Sequence, residues 1–183
     1  MCGFSLESVE PESDEFKEVI GASGISNNSP IITEKIILER IVHPILEERF
    51  RTHEKAICDR RSMTREEATV YPTYHGTSEK ALENILENGF DYRYNRIANF
   101  GIGTYSTRNC REALSYARLD RDGYQCIIVC KVVVGRSKLG SVDEILDESE
   151  YDSFYNGFSE ISCPYNDGIL PVYLIRRKRE RLA

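Results

Sequence analysis

The spacing of hydrophobic residues changes several times along this chain, and each change predicts an element. From Glu34 the run IILERIVHPILEERFRTHEKAI places Ile37, Ile41, Ile45, Leu46 and Phe50 at helical spacing among charges, which predicts an amphipathic helix or two short ones. Pro44 removes a backbone donor inside that run, so a break or kink is expected near His43. CDRRSMTREEAT is polar, and VYPTYHGT then reads as a β-rich segment that stops at a glycine. SEKALENILENGF puts Ala81, Leu82, Ile85 and Leu86 on one face, with a hydroxyl cap before them and Gly89 at the place of a left-handed C-cap. A helix from about Ser78 to Asn88 follows.

DYRYNRIANFGIGTYST lacks periodicity until its Gly-x-Gly, so a loop delivers the chain into a strand near Thr104. Residues 111–119 (REALSYARL) return to helical spacing. YQCIIVCKVVVG, from Tyr124, is a near-continuous β-branched run, the pattern of a central strand buried on both faces. After the acidic segment VDEILDESE, GILPVYLIRRKRERL reads as a last strand with a basic end. That end fits a solvated strand terminus, a nuclear signal or a nucleic-acid patch. No internal repeat is visible.

Charge separates the first 33 residues from the rest. They hold six acids and one lysine, five of the chain's six net negative charges, and GASGISNNSP near their end is polar. An acidic, disordered tail with a domain boundary near Thr33 is expected, so that residues 34–183 form the domain. With 40% hydrophobic and 30% charged residues, the chain has the composition of a soluble globular domain. No apolar run reaches the roughly 18 to 20 residues of a membrane helix, and the acidic N-terminus does not resemble a secretory signal. An intracellular protein, cytoplasmic or nuclear and without membrane partners, is expected.

Cys2, Cys58, Cys110, Cys126, Cys130 and Cys163 contain no CxxC pair and read as reduced thiols; Cys126 and Cys130 share one face of a strand, as small core hydrophobes do. His43, His53 and His75 offer no second ligand at zinc spacing, so no metal is expected. Candidate chemistry is concentrated in His-Gly-Thr at a strand-to-helix junction, in Gly-x-Gly-Thr-Tyr entering another strand, and in the abundant tyrosines. Together they describe a pocket for a planar, polar ligand, with Gly76, Gly101 and Gly103 permitting close backbone approach. Neither GxxxxGK[ST] nor GxGxxG occurs.

In order and spacing these segments resemble the catalytic domain of the poly(ADP-ribose) polymerase superfamily, the diphtheria-toxin-like ADP-ribosyltransferases. ERIVHPILEERF resembles the family's helix before the core, YHGTSEKALENILENGF its strand, HGT and first core helix, and FGIGTYST its GKGxYFA segment. YDSFYN (151–156) and LPVYLI (170–175) resemble the family's YDS and final strand; the likeness covers about 150 residues. It implies an α+β fold of two apposed, mainly antiparallel β-sheets flanked by helices, without a regulatory helical bundle, and NAD as co-substrate. His75 and Tyr105 fall on two key positions, and Val172 on the third, which is Glu in polymerases and a hydrophobe in many mono-transferases.

The resemblance also implies that Tyr105 and Tyr116 sandwich the nicotinamide ring, that the Gly76 backbone grips its carboxamide, and that His75 and Thr77 bind the adenosine-side ribose. Arg93 and Arg96 fall in the segment that resembles the family's donor loop, where they would touch the pyrophosphate or adenine. Ala113 stands where the family often has a serine donating to the nicotinamide amide, and Ile102 and Ser106 replace the usual lysine and phenylalanine. Two functions follow. One is a monomeric mono-ADP-ribosyltransferase acting on a protein or nucleic-acid acceptor; the other is an inert relative serving as a ligand-binding or interaction module.

Overall fold

The computed structural model describes residues 3–25, 32–95 and 98–181. In chain order the elements are β1 (Ser5–Ser8), α1 (Asp14–Ser23), β2 (Ile32–Val42), α2 (Pro44–Arg61), α3 (Arg65–Ala68), β3 (Thr69–Thr77) and α4 (Glu79–Asn88). There follow β4 (Thr104–Thr107), α5 (Cys110–Tyr116), β5 (Gln125–Val133), β6 (Ser137–Leu139), β7 (Ser153–Tyr155), β8 (Glu160–Cys163) and β9 (Ile169–Arg181). The strands pair in the order β1-β2-β9-β5-β3-β4-β8-β7-β6, antiparallel throughout except β6 with β7. This is the expected α+β class. The two expected sheets are joined edge to edge, because β3 and β4 pair only at Tyr74 and Thr107.

β5 is the central strand, and Cys126 to Cys130, Val132 and Val133 are almost fully buried. Its Cys126, Ile128, Cys130 and Val132 pack under Leu82, Ile85 and Leu86 of α4. Its other face, Ile127 and Val129, packs with Tyr74, with Cys110 and Ala113 of α5, and with Val19 and Ile20 of α1. Cys58, Cys110, Cys126, Cys130 and Cys163 are free thiols, and Cys2 lies outside the described residues.

Two expectations are corrected at the N-terminal side. Residues 3–25 are part of the domain: β1 pairs with β2, and Val9, Val19, Ile20 and Ile25 are buried. The acids are also engaged, since Arg40 binds Glu7 at 2.7 Å and Glu15 at 2.6 Å, and the Tyr173 hydroxyl donates to Glu15 at 2.7 Å. Ser13 caps α1 by accepting from Phe16 N, and Gly24 closes it in the left-handed conformation.

The first half of the expected helix is instead β2, which pairs with β9 over nine residues. A spacing of four keeps residues on one face in a strand as well as in a helix, and the β-branched Ile36, Ile37, Ile41 and Val42 decide for the strand. Pro44 then starts α2 rather than kinking it, with the His43 ring accepting from Leu46 N.

α4 matches its predicted span, and Ser78 caps it. Gly89 has φ +83° with extended ψ, a conformation open to glycine but not the expected left-handed cap. α5 ends at Tyr116, three residues before the predicted end. In β9, Arg176 pairs with Glu39 at 3.0 Å and Asp120 at 3.6 Å, and Arg177 with Glu34, so these two cations serve the fold. Among the described residues no helix is long and apolar enough to cross a membrane, and no cluster of three metal-ligating side chains occurs.

Candidate active site

Where β3 and β4 part beyond their single pair, a cavity of about 480 Å³ opens, with His75 and Gly76 on one strand and Tyr105, Ser106 and Thr107 on the other. The His75 Nδ1–H donates to the Tyr105 carbonyl at 2.7 Å, and the ring stands edge-on to Phe90 at 5.1 Å. Burial lowers the imidazole pKa, against the opposing pull of that bond. A neutral ring that donates from Nδ1 presents Nε2 as an acceptor, suited to a sugar hydroxyl.

Tyr105 is fixed at both ends. Its hydroxyl donates to Gly101 O at 2.8 Å and accepts from Phe100 N at 3.1 Å, and its ring meets Phe100 at 4.4 Å. Burial raises its pKa, so the phenol stays neutral and the ring acts as a wall. The Gly-x-Gly before it is structural: a Cβ on Gly101, at φ +101°, would lie 2.5 Å from Phe154 Cε2 and closer still to Cδ2, and one on Gly103 2.7 Å from the Cys163 carbonyl.

Gly76 lets α5 rest directly on β3. A Cβ there would lie 2.8 Å from the Ala113 carbonyl carbon, closer still to its oxygen, and 2.9 Å from Ala117 N. This approach brings Ala113 to the cavity wall and Tyr116, 63% exposed, to its rim. Thr77 is buried, its carbonyl accepting from Arg118 N, and it does not line the cavity.

Val172 is not at this site. β5 and β3 separate its strand from β4, and Val172 packs with Leu46, Phe50 and Ala68 beside a different cavity of about 400 Å³. The expectation that it completes a set with His75 and Tyr105 is corrected, because Val172 lies on β9, and no described residue of that strand lines this cavity. The side chain that does join them is Glu160, at the head of β8 and opposite Thr107. Its Oε2 accepts from Asn156 Nδ2 at 2.7 Å. The available signal was a lone acid opening the short run EISC; its pairing with the Gly-x-Gly-Thr-Tyr strand was not readable locally.

Arg93 lies outside the cavity, exposed and paired with Asp91 at 2.6 Å. Its guanidinium holds the Asp91 carboxyl at about 2. Both border a polar neighbouring cavity with Asn88, Asn166 and Asp167, and Tyr94 borders both cavities. Arg96 lies outside the described residues. Tyr94, Asn99, Phe100 and Asn156 also line the site and were not expected.

The sequence model of the family described as Poly(ADP-ribose) polymerase catalytic domain matches residues 13–160. That span starts inside the segment expected to be a tail and ends on Glu160. The Protein mono-ADP-ribosyltransferase PARP10 of Mus musculus is 28% identical over 146 residues, 74% of this chain and 14% of the relative's length. The chain thus spans about one seventh of that relative.

Proposed function

The chain belongs to the poly(ADP-ribose) polymerase catalytic-domain family, and from that premise we propose that it transfers ADP-ribose from NAD to an acceptor with release of nicotinamide. The observation that carries the reading is that His75, Tyr105 and Glu160, from three strands, border one cavity. Its volume lies within the range of about 300 to 1,000 Å³ usual for small-molecule sites, and flat rings with convergent polar groups suit a nicotinamide.

In this reading Tyr105 and Tyr116 hold the nicotinamide ring and the Gly76 backbone meets its carboxamide. Nε2 of His75 accepts from a ribose hydroxyl. The bond from the ribose anomeric carbon to nicotinamide nitrogen breaks, and nicotinamide leaves with the electron pair. The carbon left behind is oxocarbenium-like, and the Glu160 carboxylate stabilises it and accepts from the adjacent ribose hydroxyl. The acceptor nucleophile then bonds to that carbon and loses its proton to Glu160 or water.

We take the product to be single ADP-ribose units on a protein acceptor. A glutamate completing the site is the residue type that the resemblance gives to polymerases, so Val172 no longer supports a single-unit product; its support is the likeness to a relative named as a mono-ADP-ribosyltransferase. The inert-module reading keeps Ala113 in its favour, since a missing neutral hydrogen bond weakens binding by about 0.5–1.5 kcal/mol. That is too little to abolish it. The test is intact-mass spectrometry of the purified chain after incubation with NAD, together with assay of free nicotinamide. A single mass step with nicotinamide release supports the reading, a ladder of steps overturns the single-unit product, and no step with no nicotinamide overturns the transferase.

A further inference from the structure

We propose that Asn156 is a positioning residue that orients the Glu160 carboxylate. The inference rests on the ADP-ribosyl-transfer reading and goes beyond it by naming what holds the carboxylate in place. Asn156 Oδ1 accepts from two backbone donors, Phe158 N at 2.9 Å and Glu160 N at 3.1 Å. An amide oxygen engaged by two N–H groups fixes which way the amide faces, so its NH₂ is the group directed at Glu160 Oε2, 2.7 Å away. The backbone closes the same loop, with Asn156 N donating to Glu160 O at 3.2 Å, and Gly157 turns it at φ +88°.

The other end of the loop is tied as well. The Ser159 hydroxyl donates to Glu112 Oε2 at 2.6 Å, and so does the Thr107 hydroxyl, also at 2.6 Å. These two bonds hold the Glu112 carboxyl below its ordinary range. The residue before Glu160 is therefore tethered to both α5 and β4, the elements that carry Tyr116 and Tyr105. A carboxylate held through one oxygen keeps the other for a substrate hydroxyl, and its alignment depends on the side chain that holds it.

Asn156→Asp tests the inference. The aspartate keeps an acceptor for the two backbone N–H groups, loses the donor to Glu160 and sets a second carboxylate against it. Nicotinamide release from NAD should slow on the order of ten- to a hundredfold, while stabilisation by nicotinamide in thermal melts stays at the wild-type level. In a Glu160→Gln background the same change should cost nothing further. Equal losses in both backgrounds, or no loss in either, would overturn the proposal.

A readout independent of activity is the ¹⁵N NMR signal of the Asn156 side-chain amide, whose protons, held by Glu160 Oε2 at 2.7 Å, should exchange with water faster in Glu160→Ala than in wild type. Equal exchange in the two proteins overturns the positioning role. Slower exchange in wild type, in a chain that releases no nicotinamide, keeps the contact and overturns the transferase reading instead.

Discussion

Replacing Gly76 by alanine joins the fold to the site in one perturbation. The added Cβ would lie 2.8 Å from the Ala113 carbonyl carbon and 2.9 Å from Ala117 N, both backbone atoms of α5 and its C-terminal flank. Since no flexible side chain can swing aside, the α5 backbone must retreat by roughly an ångström in a close-packed interior. Two effects oppose each other. Removing glycine's freedom in the unfolded chain stabilises by about 0.4–1 kcal/mol, whereas overpacking costs about 1–3 kcal/mol. A clash with backbone belongs at the upper end of that range, so a net loss of about 2 kcal/mol is expected. For a chain of this length that lowers Tm by roughly 4–8 °C. The retreat also carries Ala113 and Tyr116 away from Tyr105, so stabilisation by nicotinamide should disappear even at temperatures where the variant is folded. Thermal melts with and without millimolar nicotinamide, alongside circular dichroism, measure both effects. A Gly76→Ala protein with wild-type Tm and wild-type ligand stabilisation would refute the packing of α5 on β3.

Asp152 is 1% exposed and accepts from Arg60 at 2.5 Å, from Arg61 at 2.9 Å and from Arg136 N at 2.8 Å. Asp152→Ala leaves Arg61 buried without its carboxylate and should cost about 3–5 kcal/mol, read by denaturant unfolding. Burial alone would raise the Asp152 carboxyl, but Arg61, the Arg136 amide and Arg60 outweigh it and hold its pKa below 3.8. Its contribution is therefore intact above pH about 4 and lost as pH falls through the lowered value, a slope that Asp152→Ala should lack. Because burial lowers the His75 pKa from 6.5, NAD binding should be level from pH 8 to about 6.5 and weaken only at lower pH, as Nε2 gains a proton. Isothermal titration across that range checks this, and a fall in binding already between pH 8 and 7 would contradict the neutral, Nδ1-protonated ring.

Local patterns were legible where one reading of the spacing was possible. α4 announced itself through Leu82, Ile85 and Leu86 and its Ser78 cap, and β5 through a β-branched run that only a doubly buried strand tolerates. β2 was misread because a repeat of four fits both periods. The N-terminal segment was misread because net charge hid Val9, Val19, Ile20 and Ile25, whose burial needs partners distant in sequence. His75, Gly76 and Tyr105 line the cavity and were legible in their short glycine motifs, whereas Ala113 and Tyr116 line it and were expected only through the family resemblance. Glu160 was not found, because its place depends on β8 pairing with β4 more than 50 residues away.

The central claim is that Glu160, and not Val172, completes the site with His75 and Tyr105, and nicotinamide release from NAD by Glu160→Gln and Val172→Ala tests it most directly. Glu160→Gln keeps the size of the side chain and removes its charge, so release should fall by at least about a hundredfold while nicotinamide still raises Tm. Val172→Ala trims a half-buried contact to Phe50 and Leu46, so it should lower stability by about 1 kcal/mol and leave release at the wild-type rate. Wild-type release by Glu160→Gln, with release lost in a folded Val172→Ala, would contradict the account.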